Sequence, residues 1–427
     1  MRLPGRVSAA IEILDDILTG HRPAAVALKD WARANRIAGS DDRAAIGNLV
    51  YDALRSKASA AHMMDSAAPR ALVLAVLARQ WGLPVEKIAE CCAGQYGPGD
   101  LSDDERAALA RETAAAPQWI AGDYPEWLHA SLQRAFGDEV LIQAMALARR
   151  APVDLRVNTL KTSREKLLKA LARYNAGPAP LSPWGVRLPV PPADGRHPNV
   201  EADPAHGKGW FEVQDAGSQI AALLSGARPG QQVADICAGA GGKTLAMAAM
   251  MDNRGQLYAH DSDKHRLRPI FERMTRAGVR NVQVIPAGEA ERLDGLEGRM
   301  DVVVVDAPCS GSGAWRRRPD AKWRFNKRLL ADRLEDQRDV LDTAAPLLKR
   351  GGRLVYITCS VLPEENDDQV EAFMQRNQDF SAVPYTDIWR ETIGTEPPTS
   401  AGKSDNALLL TPATHSTDGF FIAVLKR

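Results

Sequence analysis

Several features that would have fixed a class at once are missing from this chain. It has only five cysteines in 427 residues, two of them adjacent (Cys91 and Cys92), so no disulfide framework is expected. No CxxC pair offers a zinc site, and no metal is expected. No apolar run approaches the length that crosses a bilayer, which leaves no reason to expect a membrane partner. The start, Met1-Arg2-Leu3-Pro4-Gly5-Arg6, leads into an amphipathic helix pattern with Asp15 and Asp16 instead of a signal-peptide core, so a cytoplasmic protein is expected. Net charge is absent as well: 54 basic residues balance 54 acidic ones, which argues against indiscriminate polyanion binding. There is no internal repeat and no low-complexity tract. What remains, 45% hydrophobic and 25% charged residues, is an ordinary globular composition, and the length predicts two or three domains.

The pattern along the chain divides it into three regions. Residues 1–115 read as an all-helical, Ala-rich bundle: Ile11, Ile13, Leu14, Ile17 and Leu18 recur at helical spacing, as do Ile46, Leu49, Val50 and Leu54. Ala71 to Trp81 predicts a further apolar helix closed by Gly82 and Pro84. His21, His62, Cys91 and Cys92 are expected to be structural. Residues 116–225 read as a linker and small α+β subdomain, with an alternating strand from Val153 to Asn158 and a capped helix from Thr162 to Leu171. The Pro- and Gly-rich stretch from Gly177 to Gly209 predicts turns and short strands. From 226 to 427, strands alternate with helices, the signature of a doubly wound, Rossmann-like α/β domain. Within it, the residues after Arg390 through Gly402 read as a mobile loop, and Gly419 to Leu425 as a terminal strand.

Chemistry concentrates at the strand ends of this last region. Cys309, in Asp306-Ala307-Pro308-Cys309-Ser310-Gly311, follows the apolar run Val302 to Val305. Cys359, in Tyr356-Ile357-Thr358-Cys359-Ser360, follows Gly352 to Val355. Buried parallel strands open their carboxyl ends onto a ligand crevice, so two thiols there suggest covalent chemistry. Upstream, the strand Gln232 to Ile236 runs into Cys237-Ala238-Gly239-Ala240-Gly241-Gly242-Lys243-Thr244, a turn that lets a ligand approach the backbone at a helix N-terminus. The next strand, Gln256 to His260, ends at Asp261, where nucleoside-binding folds place an acid against ribose hydroxyls. The turn lacks the first glycine of a phosphate-binding GxxxxGK[ST] loop. A nicotinamide is a second candidate, although nothing downstream looks like a hydride-transfer site. S-adenosylmethionine has no phosphates to cradle and accounts for the later thiols and acid. Finally, Arg316, Arg317, Arg318, Lys322 and Trp323 fall in a locally basic segment interleaved with Trp315 and Phe325. Such a segment can neutralise phosphates and stack on bases, or it can be a solvated face with its rings turned inward.

These motifs resemble the NOL1/NOP2/Sun family of RNA cytosine-C5 methyltransferases, most closely its bacterial Sun (Fmu) type. The matching segments are Cys237 to Thr244, Asp306 to Gly313, Arg316 to Trp323, Thr358 to Asn366, Phe211 to Ala216 and Asp418 to Phe421. The N-terminal bundle is similar to that type's NusB-like RNA-binding domain. Two departures are present: Gly239-Ala240 stands where the family has Ala-Pro, and Pro286-Ala287-Gly288-Glu289 where it has Gly-Asp, so Glu289 is a candidate for the adenine amine contact.

The resemblance implies S-adenosylmethionine as cofactor, held by residues 237–243, Asp261 and Asp306. It implies Cys359 as nucleophile at cytosine C6, Cys309 assisting release, Asp306 as the hydrogen-bonding acid, and Lys243 between cofactor and base. RNA is the expected partner, ribosomal before transfer RNA, contacted by Arg316, Arg317, Arg318, Lys322 and Trp323, with the target base unpaired or flipped out. A monomer is expected. The competing reading from another class is a catalytically idle RNA-binding assembly factor.

Overall fold

The computed structural model describes residues 1–111 and 115–427, so the boundary expected at 115 adjoins residues 112–114, which lie outside the described residues. The N-terminal region is helical from Leu3–Thr19 to Asp103–Ala110. Ile13, Leu14, Ile46, Leu49, Leu72 and Leu74 are fully buried, so the helical spacing seen in the sequence is the bundle's core. The helix Pro69–Arg79 buries every residue from Ala71 to Leu77 and is its central rod. It stops before Trp81, the end expected from sequence, because Trp81 and Leu83 bond back to Val76 and Leu77 and turn the chain. Cys91 and Cys92 are buried in this core, and burial pushes the Cys91 thiol up to about 11, so it packs as a small hydrophobe.

The middle region carries a small antiparallel sheet of four strands: β1 (Val153–Val157), β2 (Gly177–Pro178), β3 (Gly185–Leu188) and β4 (Phe211–Val213), in the order β2-β3-β1-β4. β1 is not the one-sided strand its alternation suggests. Asp154 is buried and takes two hydrogen bonds from Arg187 (2.6 and 2.7 Å), and Arg156 is buried beneath the next region. Ser163 caps the helix Arg164–Ala170, as its sequence predicts.

The third region holds the large sheet: β5 (Gln232–Asp235), β6 (Gln256–His260), β7 (Val282–Ile285), β8 (Met300–Asp306), β9 (Leu348–Thr358), β10 (Ser381–Val383), β11 (Ala407–Leu410) and β12 (Phe420–Lys426). Their order is β10-β12-β9-β8-β5-β6-β7, with β11 also on β12. The five strands from β5 to β9 are parallel, and β12 is antiparallel to β9. The run in β8 is continuous because both faces are covered: Val303 and Val305 join one core, Val302 and Val304 the other. The order reverses between β5 and β8, the switch point where doubly wound sheets bind ligands. The stretch from Arg390 to Gly402, expected to be mobile, is tied down instead. Thr395 accepts from Trp389, Pro398 from Tyr385, Leu409 from Ala401, and His415 bonds the Thr399 carbonyl.

The bundle is fastened to the rest by buried charge. Asp52, 2% exposed, accepts from Arg55 (2.9 Å), Trp81 (3.3 Å) and both Nε (2.8 Å) and Nη2 of Arg150. Removing one partner of such a group leaves the others buried and uncompensated. Asp52→Ala is therefore expected to cost about 3–5 kcal/mol and to split denaturant unfolding into two transitions, read by far-UV circular dichroism against Trp fluorescence.

Candidate active site

The turn after β5 is shaped by its glycines. Gly239 and Gly241 have φ of 52° and 84°, the left-handed region. A Cβ on Gly241 would stand 2.5 Å from Ile270, so the helix Gly242–Met250 needs a glycine at its start. The Gly239 N–H donates to Asp261 Oδ2 (2.8 Å) and the Asp263 N–H to Oδ1 (2.9 Å). Asp261 is thus held at the end of β6 against the glycine turn, as its spacing suggested. The Arg273 guanidinium and Arg156 bond the Ala240 and Gly242 carbonyls and fix the turn from behind. The donor set fits a nucleoside better than a phosphate: the side chain beside the turn is a carboxylate, suited to hydroxyls. Glu289, in the turn after β7, is half-exposed and paired with Arg292 at 2.6 Å.

Lys243, buried in the first turn of the helix, reaches across the switch point to Asp306 at the end of β8, Nζ to Oδ2 2.7 Å. Its ammonium also lies 5.3 Å from the centre of the Phe420 ring. The Asp306 side chain stays 34% exposed and open to a ligand. Below it, Asp235 is buried. Burial pushes its carboxyl up to about 7; a hydrogen bond from Thr244 Oγ1 (2.7 Å) works against this, and the charge of Asp306 adds to it.

The two thiols meet. Cys309 and Cys359 lie at the carboxyl ends of the adjacent parallel strands β8 and β9, both partly exposed, with sulfurs 3.4 Å apart. The hydrogen bond with Cys359 and burial push the Cys309 thiol well above its ordinary range, and either sulfur can donate in the contact. Their loops are interlocked: Gly313 N–H donates to the Cys359 carbonyl (2.9 Å) and Gly419 N–H to the Gly313 carbonyl (2.8 Å).

The basic segment does something other than expected. Arg316 is buried with its Nε on Asp418, and Arg317 bonds Asp418 (2.5 Å), Asp215 (2.8 Å) and the Pro152 carbonyl (3.0 Å). Lys322 is buried against the Arg55 carbonyl, and burial lowers its ammonium to about 8. Trp323 donates to the Leu54 carbonyl (2.6 Å) and packs on the bundle. Only Arg318 of the five is solvent-exposed. Four of the expected RNA contacts are thus turned inward: Arg316 and Arg317 tie the catalytic region to the middle one, and Lys322 and Trp323 latch it to the bundle. Their acids, Asp215 and Asp418, each lie in a motif segment singled out from sequence, but about a hundred residues from the arginines, so only the fold pairs them.

A parallel sheet reversing at β5/β8, with a glycine turn, an acid after β6 and chemistry on the strand ends, defines a Rossmann-like methyltransferase. Residues 222–426 match the family described as 16S rRNA methyltransferase RsmB/F, and residues 124–193 match the ferredoxin-like domain of RsmF/B-like methyltransferases. A curated relative from Synechocystis, "Probable ribosomal RNA small subunit methyltransferase B", is 33% identical over 334 residues, 77% of this chain and 70% of that protein. The solved structure of PH0851 superposes with a TM-score of 0.75 at 23% identity over 99% of both chains. That of NSun6 from Pyrococcus horikoshii with SFG gives 0.61 at 23% identity, over 71% of this chain and 98% of that one. The chain belongs to the RsmB/F family of RNA methyltransferases, enzymes whose methyl donor is S-adenosylmethionine.

Two predictions follow from this geometry. A Cβ on Gly313 would stand 2.2 Å from the Gly419 carbonyl oxygen, backbone that cannot move aside. Gly313→Ala is expected to push the Cys309 loop off the Cys359 loop and lower methyl transfer at least tenfold. The raised carboxyl of Asp235 has a stability consequence. Between about pH 4 and 7 the folded chain keeps a proton that the unfolded chain has lost, so stability falls as pH rises through that window. Asp235→Asn should therefore melt above wild type at pH 8, with the gap closing towards pH 4, in cofactor-free thermal scans.

Proposed function

We propose that this protein methylates C5 of a cytosine in small-subunit ribosomal RNA through a covalent adduct between Cys359 and C6. The observation that carries the reading is the 3.4 Å contact of two thiols beside the Lys243–Asp306 pair. One thiol on a strand end is commonplace; two in contact on adjacent strand ends beside the switch point suit a reaction that must both make and break a carbon–sulfur bond. Bound S-adenosylmethionine supplies an electrophilic methyl group for C5. Residues 237–243 and Asp261 would hold it, with Asp306 between cofactor and base.

Cytosine C5 is a weak nucleophile until its conjugation is broken. The Cys359 thiolate bonds to C6, and the displaced ring electrons make C5 nucleophilic. Asp306, gripped on one oxygen by Lys243, accepts from the exocyclic amine, and the Lys243 ammonium beside it offsets the negative charge that addition moves onto N3. For release, Cys309 passes its proton to the departing Cys359 sulfur and takes the C5 proton in return. The C5–H electrons re-form the C5–C6 double bond as the C6–S bond breaks. The target base must leave its stack to reach these groups. With the arginine segment turned inward, cations for the RNA backbone come from elsewhere. Arg318, Lys327 and Arg328 are exposed, and the exposed Arg149 lines a cleft of about 670 Å³ at the bundle's inner side.

The test incubates wild type, Cys309→Ala and Cys359→Ala with labelled S-adenosylmethionine and bacterial RNA, followed by denaturing gels. Cys309→Ala should accumulate a denaturation-resistant protein–RNA adduct, Cys359→Ala should give neither adduct nor label, and label should run with small-subunit RNA. Label on transfer RNA would move the substrate. No transfer by wild type would leave the RNA-binding assembly factor as the better account.

A further inference from the structure

Among the described residues Glu365 is the one fully buried glutamate next to the thiols, and the chemistry above does not use it. It follows the Cys359 loop, in the short turn Pro363–Glu365, and is 0% exposed. Its Oε1 accepts the Ser310 N–H (2.7 Å) and Gln337 Nε2 (3.2 Å). Its Oε2 accepts the hydroxyls of Ser310 and Ser360, both at 2.5 Å. Ser310 and Ser360 are the residues immediately after the two cysteines. Gln337, fully buried on the helix Lys327–Ala344, also holds the Pro308 carbonyl (2.9 Å), one residue before Cys309. A third hydroxyl, Ser312, bonds the Ser360 hydroxyl and the Val361 N–H at 2.9 Å. No cation appears among the bonds to this carboxylate; every one comes from a neutral donor.

That arrangement is costly as a stabilising device. A buried charge without a counter-ion is rarely better than a well-packed apolar side chain, so its return must lie in geometry. From the geometry we infer that Glu365 is a positioning residue: one carboxylate ties the residues following both thiols and sets their contact distance. The Ser312 hydroxyl also joins the two loops, through Ser360 and Val361, whereas Glu365 takes a hydroxyl from each loop on a single carboxylate oxygen. Burial raises the Glu365 carboxyl while the Ser310, Ser360 and Gln337 donors oppose it, and its charge adds to what keeps the Cys309 thiol protonated.

The inference deepens the methyltransfer reading and is tested so that the two can fail separately. The first readout needs no RNA. Phenylarsine oxide condenses with two neighbouring thiols, forming two As–S bonds with loss of water, and resists monothiols when the sulfurs are held together. Wild type is expected to take up an equivalent that Cys359→Ala loses. Glu365→Ala should weaken that uptake at least tenfold, with Glu365→Gln in between, because its amide keeps the shape and the Ser310 N–H bond. The second readout is kinetic. Glu365→Ala should lower kcat about 100-fold and Glu365→Gln about tenfold, with KM for cofactor and RNA within threefold of wild type. In a Cys309→Ala background, Glu365→Ala should also slow adduct formation at least tenfold, since it holds the Cys359 loop too. If Glu365→Ala does not fold, the Ser310→Ala/Ser360→Ala double variant takes its place with the same expectations. Unchanged arsenical uptake in the folded variants, or a kcat within threefold of wild type, overturns the positioning role. Weakened uptake in a protein whose wild type methylates no RNA would leave the positioning role standing and remove the function.

Discussion

The register between β8 and β9 is the constraint on which the site depends. Val303, Val304, Val305 and Asp306 lie opposite Leu354, Val355, Tyr356 and Ile357, so the two strands deliver their loops side by side at one end of the sheet. A slip of one residue would turn every β9 side chain to the opposite face, which both cores forbid. The register is held from the far side as well: β12 pairs along β9, with Phe421 opposite Thr358, and the chain before β12 brings Gly419 onto Gly313. Three backbones meet at this point. Cys359, Cys309 and the ring beside Lys243 belong to one packed unit.

That unit also anchors the rest of the molecule. Asp418, one residue before Gly419, takes Arg316 and Arg317, and Asp215, at the start of the helix Ala216–Leu223, accepts from Arg317 while its other oxygen takes the Asp418 N–H. The Arg316 carbonyl in turn receives Arg55 of the bundle, whose guanidinium shares Asp52 with Arg150. A chain of buried charge thus runs from beside the thiols to the middle of the N-terminal helices. Buried ion pairs contribute little net stability but tolerate only one arrangement, so their product here is a fixed placement of bundle against catalytic sheet.

How far the sequence could be read follows from which interactions are local. The strands β6 and β8 were legible because a strand buried on both faces is a bounded apolar run, and the glycine turn because φ near 84° at Gly241 demands that residue. Both thiols were legible as strand-end residues, but not their contact, which depends on register across fifty residues. The arginine segment misled because its composition is the same whether the cations face phosphates or carboxylates. The acids that claim Arg316 and Arg317 arrive from Asp215 and Asp418, on two other elements. The loop after Arg390 misled for a like reason: its Pro and Gly content resembles a mobile segment, while its anchors, Tyr385 and His415, lie outside it.

In the proposed reaction, the division of labour between the two sulfurs would rest on electrostatics more than on spacing. Two thiolates 3.4 Å apart would repel by about 5 kcal/mol at an effective dielectric of about 20, so the pair carries at most one negative charge near neutral pH. The question is which sulfur keeps the proton. Cys309 has the stronger case: the hydrogen bond with Cys359, partial burial and the charge of Glu365, tied to the same loop, all push its thiol up. In the proposed reaction such a pair would make Cys309 an acid beside the leaving Cys359 sulfur, and the proton that keeps it from attacking would serve the release. Attack and release would then be two positions of one proton, and the carboxylate that holds both loops would govern both.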